Sequence, residues 1–275
     1  MTRRSYMWTR LYGRYGDLSN DANLERCLAA LLRRKDVRAM EPDEARLRRD
    51  LAQGSATYGR LFALLHEQYA ERLGKERWGE QEGRLEGYAD ELFAAYPGAK
   101  VIHMIRDPRN RYEEMLQTTP PRFRLGRVGV NTRDWLQSVR LARRNQQKHA
   151  ANYLVLHYEA LLSDPEQALR QVCGFIGEDY IPAMLTMQGA IRFGGQQATD
   201  AASEWETGIV DFKLDAARQV SPREVAFMQF FAGREMRAWG YAPHPVSLSP
   251  IETVRYCTMD WPFGLVRMAA GSRTS

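Results

Sequence analysis

The chain has 275 residues, of which 44% are hydrophobic and 27% are charged, and its formal net charge is +5. These proportions are ordinary for a globular protein and exclude a collagen-like repeat or a disordered chain. No apolar run approaches the roughly 20 residues of a membrane span, and no signal peptide opens the chain. The 5 histidines and 3 cysteines show no ligand spacing, so no metal site is predicted. We therefore expect a cytoplasmic protein.

The first hundred residues favour helices. Asn20 or Asp21 could cap a helix, because apolar residues recur at helical spacing directly after them. The same spacing recurs from Ala56 to Leu73 and from Leu85 to Tyr96. Pro97 then ends the helical pattern.

The pattern changes after residue 100. The run Val101 to Ile105 is short and apolar, and it predicts a strand buried on both faces that ends in a polar turn. The run Tyr153 to Tyr158 predicts a second buried strand, and a helix is predicted around Thr132 to Lys148. Helices that alternate with short buried strands predict an α/β fold with a parallel sheet.

Two further helices carry clear start signals. Pro165 stands at the first position of one, and the S-x-x-E pattern from Ser221 to Glu224 opens the other, which Gly240 ends. The stretch from Gly189 to Val210 is weakly patterned and predicts a loop.

No repeat or linker divides the chain. We expect a single domain over residues 1–245 and a C-terminal tail over residues 246–275. The stretch Tyr256 to Arg267 is apolar enough to dock on this domain or on a partner.

Positive charge is concentrated in the middle of the chain. Between His103 and Lys148 there are eleven Lys and Arg residues but only four Asp and Glu residues, an excess of seven. Such an excess favours an anionic partner such as a phosphate, a sulfate or a nucleic acid, although a solvated basic helix face explains it equally well. A nucleic-acid binder is the weaker interpretation because no recognition motif or interleaved aromatic platform accompanies the charge.

Four ordered blocks of sequence resemble those of one family. The run from Lys100 to Arg109 (KVIHMIRDPR) is similar to the strand and turn that bind the 3′-phosphate of PAPS (3′-phosphoadenosine 5′-phosphosulfate) in sulfotransferases. The other blocks are Gly74–Glu80 (GKERWGE), Asp90–Pro97 (DELFAAYP) and Tyr158–Pro165 (YEALLSDP). The resemblance spans residues 57–190 and implies a helix-rich α/β fold of the P-loop NTPase-like sulfotransferase type, with a parallel sheet flanked by helices.

The resemblance also implies an activity and roles for single residues. The activity is transfer of a sulfuryl group from PAPS to a hydroxyl of a small molecule, carbohydrate or lipid, with PAPS or PAP (its desulfated product) as the only cofactor and no metal. Arg106 takes the 3′-phosphate, and Glu80 of the W-G-E segment is the candidate general base. The alternatives are a salt bridge of Arg106 with Asp107 or a neighbour and a surface helix cap for Glu80, while His103 is expected to be a hydrogen-bonded core histidine.

The chain departs from the family in three places. The family's 5′-phosphosulfate loop, typically R-S-G-T-T after a buried strand, has no counterpart, so we expect a truncated chain that lacks the first central strand and is inactive. Gln81 stands where the family often has Lys. Glu114 stands where the family usually has Ser, and a carboxylate about 4 Å from a phosphate would repel it by roughly 4 kcal/mol at an effective dielectric constant near 20. Arg109 or Arg111 could offset this repulsion if either side chain turns inward.

The nucleotide site predicted from the sequence therefore comprises Arg106, Arg109 and Glu114. Two alternatives to an enzyme remain open: a catalytically dead relative that serves as an interaction module, and a basic nucleic-acid-binding protein. Binding of PAP that depends on Arg106 distinguishes the enzyme from the module.

Overall fold

Two segments of the chain, residues 4–185 and 220–270, are described by the computed structural model. The predicted loop at residues 189–210 lies outside them. The chain divides into two units, Met1–Ala99 and Lys100–Ser275. The domain boundaries expected from the sequence, 1–245 and 246–275, stay a prediction.

The regular elements of the first unit, within its described part, are all helical. Its α-helices are α1 (Asp21–Leu32), α2 (Lys35–Arg38), α3 (Glu44–Ala52), α4 (Tyr58–Arg72) and α5 (Ala89–Ala95), with a π-helical turn at Met7–Leu11 and a 3-10 turn at Leu85–Tyr88. The predicted cap at Asn20 is confirmed, because its side chain accepts a hydrogen bond from the backbone N–H of Asn23. Helix α3 was not predicted because only Leu47 and Leu51 of its nine residues are buried and most of the others are charged.

The second unit combines two strands with seven α-helices in its described part. These elements are β1 (Val101–Ile105), α6 (Pro108–Thr118), α7 (Arg127–Lys148), β2 (Tyr153–His157), α8 (Tyr158–Ser163), α9 (Pro165–Ile176), α10 (Pro222–Ala238), α11 (Pro250–Arg255) and α12 (Trp261–Ala270). The strands pair in parallel, with Val101 opposite Tyr153 and Ile105 opposite His157. The α/β class, the parallel sheet and the high helix content predicted from the sequence are thus confirmed.

The sheet is covered unequally on its two faces. On one face Ile105 packs with Trp135 and Val139 of α7 and with Met236 of α10. On the other face Leu156 packs with Leu161 and Ala168, so α8 and α9 cover β2. On that second face, Ile102 and Met104 of β1 are exposed. The prediction that β1 is buried on both faces is therefore wrong, because in the described parts of the chain no helix or third strand lies over these two side chains.

The helix start signals correctly predicted two helices. Asp164 caps α9 with Pro165 at the first turn, and Ser221 and Glu224 form the reciprocal capping box of α10. Gly240 follows α10 with φ +82°, the left-handed conformation that favours glycine after a helix end. His103 is also confirmed as a hydrogen-bonded histidine, with Tyr153 Oη 2.7 Å from Nδ1 and Ser138 Oγ 2.9 Å from Nε2.

The C-terminal helices of the second unit pack against its helices α7 and α10. Tyr256 and Trp261 pack against a core that includes Phe227 and Met228 of α10. Helix α12 lies against α7, and the two backbones meet at Gly129 and Gly264. Within the described residues, no helix combines the length and the apolar character needed to cross a membrane.

A methyl group at the contact between α7 and α12 is expected to destabilise the protein. A Cβ on residue 129 would overlap the backbone carbonyl of Gly264, which cannot move aside as a flexible side chain would. We expect Gly129→Ala to lower the free energy of unfolding by about 1–3 kcal/mol, the usual cost of overpacking a core. The measurement is urea unfolding followed by circular dichroism.

The matched control for this substitution is Gly174→Ala in α9. No atom lies within contact distance of a Cβ at that position, so helix propensity alone should stabilise the protein by about 0.5–1 kcal/mol. Equal effects of the two substitutions would contradict the close packing of α7 and α12.

Candidate active site

The carboxylate of Glu80 in the first unit is engaged on both of its oxygens. Oε2 lies 2.9 Å from His66 Nε2 and accepts a hydrogen bond from Ser5 Oγ at 2.7 Å, while Oε1 accepts from the backbone N–H of Tyr6 at 3.1 Å. The Glu80 side chain is only 3% exposed. The surface-cap alternative for Glu80 is therefore wrong.

The imidazole of His66 lies between a backbone carbonyl and the Glu80 carboxylate. Its Nδ1 is 2.9 Å from the backbone carbonyl of Phe62, an oxygen that only accepts, so Nδ1 carries a hydrogen. Its Nε2 lies on the opposite side of the ring and faces Oε2 of the Glu80 carboxylate at 2.9 Å. Trp78 of the W-G-E segment stacks on the imidazole at 4.9 Å.

Residues near the start of the chain also bind the two residues that follow Glu80. Arg4 donates to the side-chain oxygen of Gln81, and both the backbone N–H and the hydroxyl of Thr9 donate to Glu82. Burial raises the pKa of Glu82. Residues 4–9, called the N-terminal clamp below, thus hold residues 80–82 through side-chain acceptors.

In the second unit, the turn after β1 is built by backbone hydrogen bonds to distant side chains. Trp135 Nε1 donates to the carbonyl of Arg106 at 2.8 Å, and the backbone N–H of Asp107 donates to Glu159 Oε1 at 2.8 Å. Asp107 in turn caps α6. The Arg106 backbone is therefore fixed at the carboxyl end of a parallel strand, the usual place for ligand-binding side chains in such sheets.

The Arg106 guanidinium lies between an aromatic ring and a carboxylate. Its Cζ is 4.5 Å from the centre of the Tyr158 ring, and its Nη1 donates to Glu114 Oε2 at 2.5 Å. The Arg106 side chain is 29% exposed and that of Glu114 is 67% exposed. Among residues 4–185 and 220–270, Nη1 is the one guanidinium nitrogen of Arg106 with a hydrogen-bond acceptor. The salt-bridge alternative for Arg106 is correct in this arrangement, but with Glu114 as the partner.

Arg109 has a different environment from the one expected. Its side chain is 3% exposed and forms a forked pair with the carboxylate of Asp107. The same guanidinium donates to Gln229 Oε1 and to the carbonyl of Ala242. Arg111 donates to Asn131 Oδ1. Both arginines thus tie α6 to neighbouring elements.

Tyr241 completes the support of the turn, and no sequence pattern pointed to it. Its hydroxyl donates to Glu159 Oε2 at 3.1 Å and lies 3.3 Å from His157 Nδ1. Burial, together with the Glu159 carboxylate, raises the pKa of Tyr241, while burial lowers the pKa of His157 below its ordinary value of 6.5. Glu159 was visible in the Y-E pair of the YEALLSDP block, but Tyr241 lies 82 residues further along and in no motif.

Many positive charges of the central segment are paired within the second unit. The pairs are Arg106 with Glu114, Arg109 with Asp107, Arg133 with Asp134, and Arg143 with Glu235. Paired guanidinium groups contribute less to a field that attracts a polyanion than unpaired ones do. Binding of nucleic acid stays a prediction, and these pairs do not favour it.

Comparisons with known proteins give one family. A family model described as Sulfotransferase family matches residues 8–182. No curated protein matches the chain. Among solved structures, the chain is similar to the sulfotransferase domain from the Synechococcus PCC 7002 olefin synthase, with 19% identity over 81% of this chain and 76% of that chain and a TM-score of 0.48.

Proposed function

The chain belongs to the sulfotransferase family, and we propose that it binds the 3′-phosphate of PAPS or PAP through Arg106. One observation carries this proposal. Of the Arg106 guanidinium nitrogens, only Nη1 has an acceptor among the described residues, and the side chain is partly exposed at the carboxyl end of β1. A phosphate oxygen pair fits the remaining donors of such a planar fork.

The same surroundings limit how well the site fits a phosphate. Tyr158 holds the guanidinium plane through a cation–π contact, which pre-organises the donors. The carboxylate of Glu114 occupies Nη1 and carries the same sign of charge as the ligand. A phosphate therefore has to displace Glu114 or bind beside it. We expect affinity to be low in the present chain for that reason.

The reaction proposed for the family site is sulfuryl transfer to a hydroxyl group. PAPS supplies the sulfuryl group, and the protein contributes positioning and neutralisation of negative charge. The acceptor hydroxyl belongs to a small molecule, a carbohydrate or a lipid.

Glu80 is the proposed general base, but its present contacts restrict that role. A base has to reach the acceptor hydroxyl directly or through one water molecule. The Glu80 carboxylate instead accepts hydrogen bonds from the Ser5 hydroxyl and the Tyr6 backbone N–H, and it faces Nε2 of His66. We therefore propose that Glu80 holds the N-terminal clamp in this state and acts as a base only when the clamp releases it.

A second candidate function is an interaction module without catalysis. Glu114 and Gln81 depart from the family motifs, and each binds a side chain of this protein: Glu114 pairs with Arg106, and Gln81 accepts from Arg4. These contacts favour the interaction module. A site under selection for a phosphate would be expected to keep its cation available.

Titration calorimetry with PAP tests the proposal. Wild-type protein should bind PAP, and Arg106→Ala should weaken binding about tenfold or more through loss of a charged hydrogen-bond donor. Arg106→Lys should fall between the two because it keeps the charge but loses the planar fork.

The matched control is Arg122→Ala. Arg122 is also an exposed arginine of the second unit and its removal changes the net charge equally, so it should leave PAP affinity unchanged. PAP binding that Arg106→Ala does not alter would remove Arg106 from the site. Absence of binding by the wild-type protein would favour the interaction module.

A further inference from the structure

The C-terminal helical run, Pro250–Ala270, has two apolar sides. Helix α11, a π-helical segment at Tyr256–Asp260 and helix α12 follow one another without a break. Tyr256, Trp261 and Met268 pack on the cores around α7 and α10. An ordinary surface helix would be polar on its remaining side.

The outer side of this run is apolar instead. Ile251 is 70% exposed, Val254 62% and Val266 66%, and Phe263, Leu265 and Met259 are also exposed. Their spacing of three and four residues places several of them along one strip of the helix surface. In the described parts of the chain these side chains stay open to solvent. An apolar strip of this length is unusual on a monomeric surface and indicates a binding face.

Charge is distributed unevenly along the run. Arg255 and Arg267 are exposed beside the apolar strip. The run contains two acidic residues: Asp260 lies 2.8 Å from Arg223, and Glu252 is held in the capping box with Ser249. The outer side therefore presents apolar groups and two arginines, and its accessible carboxylate, Glu252, is confined to the N-terminal cap of α11.

This distribution of charge distinguishes between the partners that an apolar strip can bind. A second copy of the chain would bring two positive strips together, which like-charge repulsion opposes. An anionic bilayer offers acyl chains for the apolar strip and phosphate groups for the two arginines, the combination that interfacial amphipathic helices use.

We propose that the outer side of Pro250–Ala270 binds the surface of an anionic lipid bilayer. The run lies in the interface plane, with Ile251, Val254 and Val266 turned towards the acyl chains and both arginines at the headgroups. The proposal is independent of PAPS binding, because none of these residues belongs to the candidate nucleotide site.

Vesicle sedimentation with the full chain tests it. Phosphatidylcholine vesicles that contain phosphatidylglycerol should bind the protein, and pure phosphatidylcholine vesicles should bind it less. Val254→Asp/Val266→Asp should lower the partition coefficient about tenfold or more, because it removes apolar contact and adds charge. Arg255→Gln/Arg267→Gln should lower binding to the anionic vesicles by about fivefold per arginine.

A fluorophore on Cys257 gives a second readout. Cys257 is exposed on this run, whereas Cys27 and Cys173 are buried, so maleimide labelling is selective. An environment-sensitive dye there should shift its emission to shorter wavelength with anionic vesicles only. Leu73→Asp, which changes an exposed leucine of the first unit, is the matched control and should bind as the wild type does.

Three results would overturn the proposal. The first is that wild-type protein does not bind anionic vesicles. The second is that Val254→Asp/Val266→Asp binds them as well as wild type does. The third is that wild-type protein forms a dimer but does not bind vesicles, and that the double variant abolishes this dimer. The last result would assign the face to a second copy. If the double variant unfolds at a lower temperature, Ile251→Asp alone replaces it, since Ile251 is the most exposed of the three.

Discussion

Replacing Glu114 with serine is expected to tighten PAP binding by about 10- to 100-fold. In the wild-type protein the ligand phosphate competes with the Glu114 carboxylate for Nη1 of Arg106 and is also repelled by it. Serine removes both effects and leaves a hydroxyl that can donate to the phosphate. Because Glu114 is largely exposed, solvent screens part of the repulsion, and the expected gain is well below the unscreened estimate.

The matched control is Glu113→Ser, which changes the net charge equally one residue away. It should alter PAP affinity by less than about threefold, since screening weakens charges that do not contact the ligand. A similar gain from both substitutions would indicate a general charge effect. Titration calorimetry at two salt concentrations separates the two, because the general effect should fade more as salt rises than the loss of direct competition for Nη1 does.

A double-mutant cycle shows whether Glu114 acts through Arg106. If it does, Glu114→Ser should tighten binding strongly in wild-type protein and much less in Arg106→Ala, so the two effects should not add. Additive effects would mean that Glu114 meets the ligand without Arg106. Failure of Glu114→Ser to tighten binding, together with binding that depends on Arg106, would contradict the competition but leave the proposed phosphate contact intact.

Features determined by residues that are close together in the chain were predicted more accurately than features that depend on distant residues. The caps at Asn20, Asp164 and Ser221 were predictable because a cap and its helix are adjacent in the chain. The parallel pairing of β1 and β2 followed from the alternation of helical and strand patterns along the chain. Helix α6 was not predicted because its charged residues hide the few buried ones, such as Tyr112 and Leu116.

Side-chain roles were less predictable than elements. The motif indicated the position of Arg106. Arg109 stands three residues further along in the same motif, but its side chain binds other parts of the protein. Its partners Gln229 and Ala242 lie more than a hundred residues away, and no local pattern encodes that contact. From the sequence, the positive charge of the central segment was explained equally well by an anionic partner and by a solvated helix face, whereas the structure pairs Arg143 with Glu235, far along the chain.

The contacts of Glu80 were hidden for the same reason. Ser5 lies 75 residues before it, and no sequence pattern connects His66 with it. The N-terminal clamp contains no recognisable motif, yet it meets the W-G-E segment that the family motif singles out. The motif therefore identified an important carboxylate, while only the structure identified what that carboxylate binds.

Replacing Glu80 with alanine is expected to lower the free energy of unfolding by about 3–5 kcal/mol, because several buried polar groups lose their partner. The substitution leaves Nε2 of the buried His66 imidazole without the carboxylate that faces it, and it removes the acceptor of Ser5 and of the Tyr6 backbone N–H. Urea unfolding followed by circular dichroism measures the loss. Glu76→Ala, an exposed glutamate of the same segment, is the control and should cost less than about 0.5 kcal/mol.

Two further variants separate a structural role of Glu80 from a catalytic one. Glu80→Leu/His66→Phe replaces both facing side chains with apolar ones and should recover part of the stability that Glu80→Ala loses, because no unpaired imidazole is left. The recovery should be incomplete, since Ser5 Oγ and the Tyr6 backbone N–H still lack their acceptor. Glu80→Gln keeps an oxygen acceptor and offers an amide donor to Nε2, so it should cost about 1–2 kcal/mol. If Glu80→Ala is no more destabilising than Glu76→Ala, the carboxylate does not hold the N-terminal clamp, and the base role no longer requires the clamp to release it.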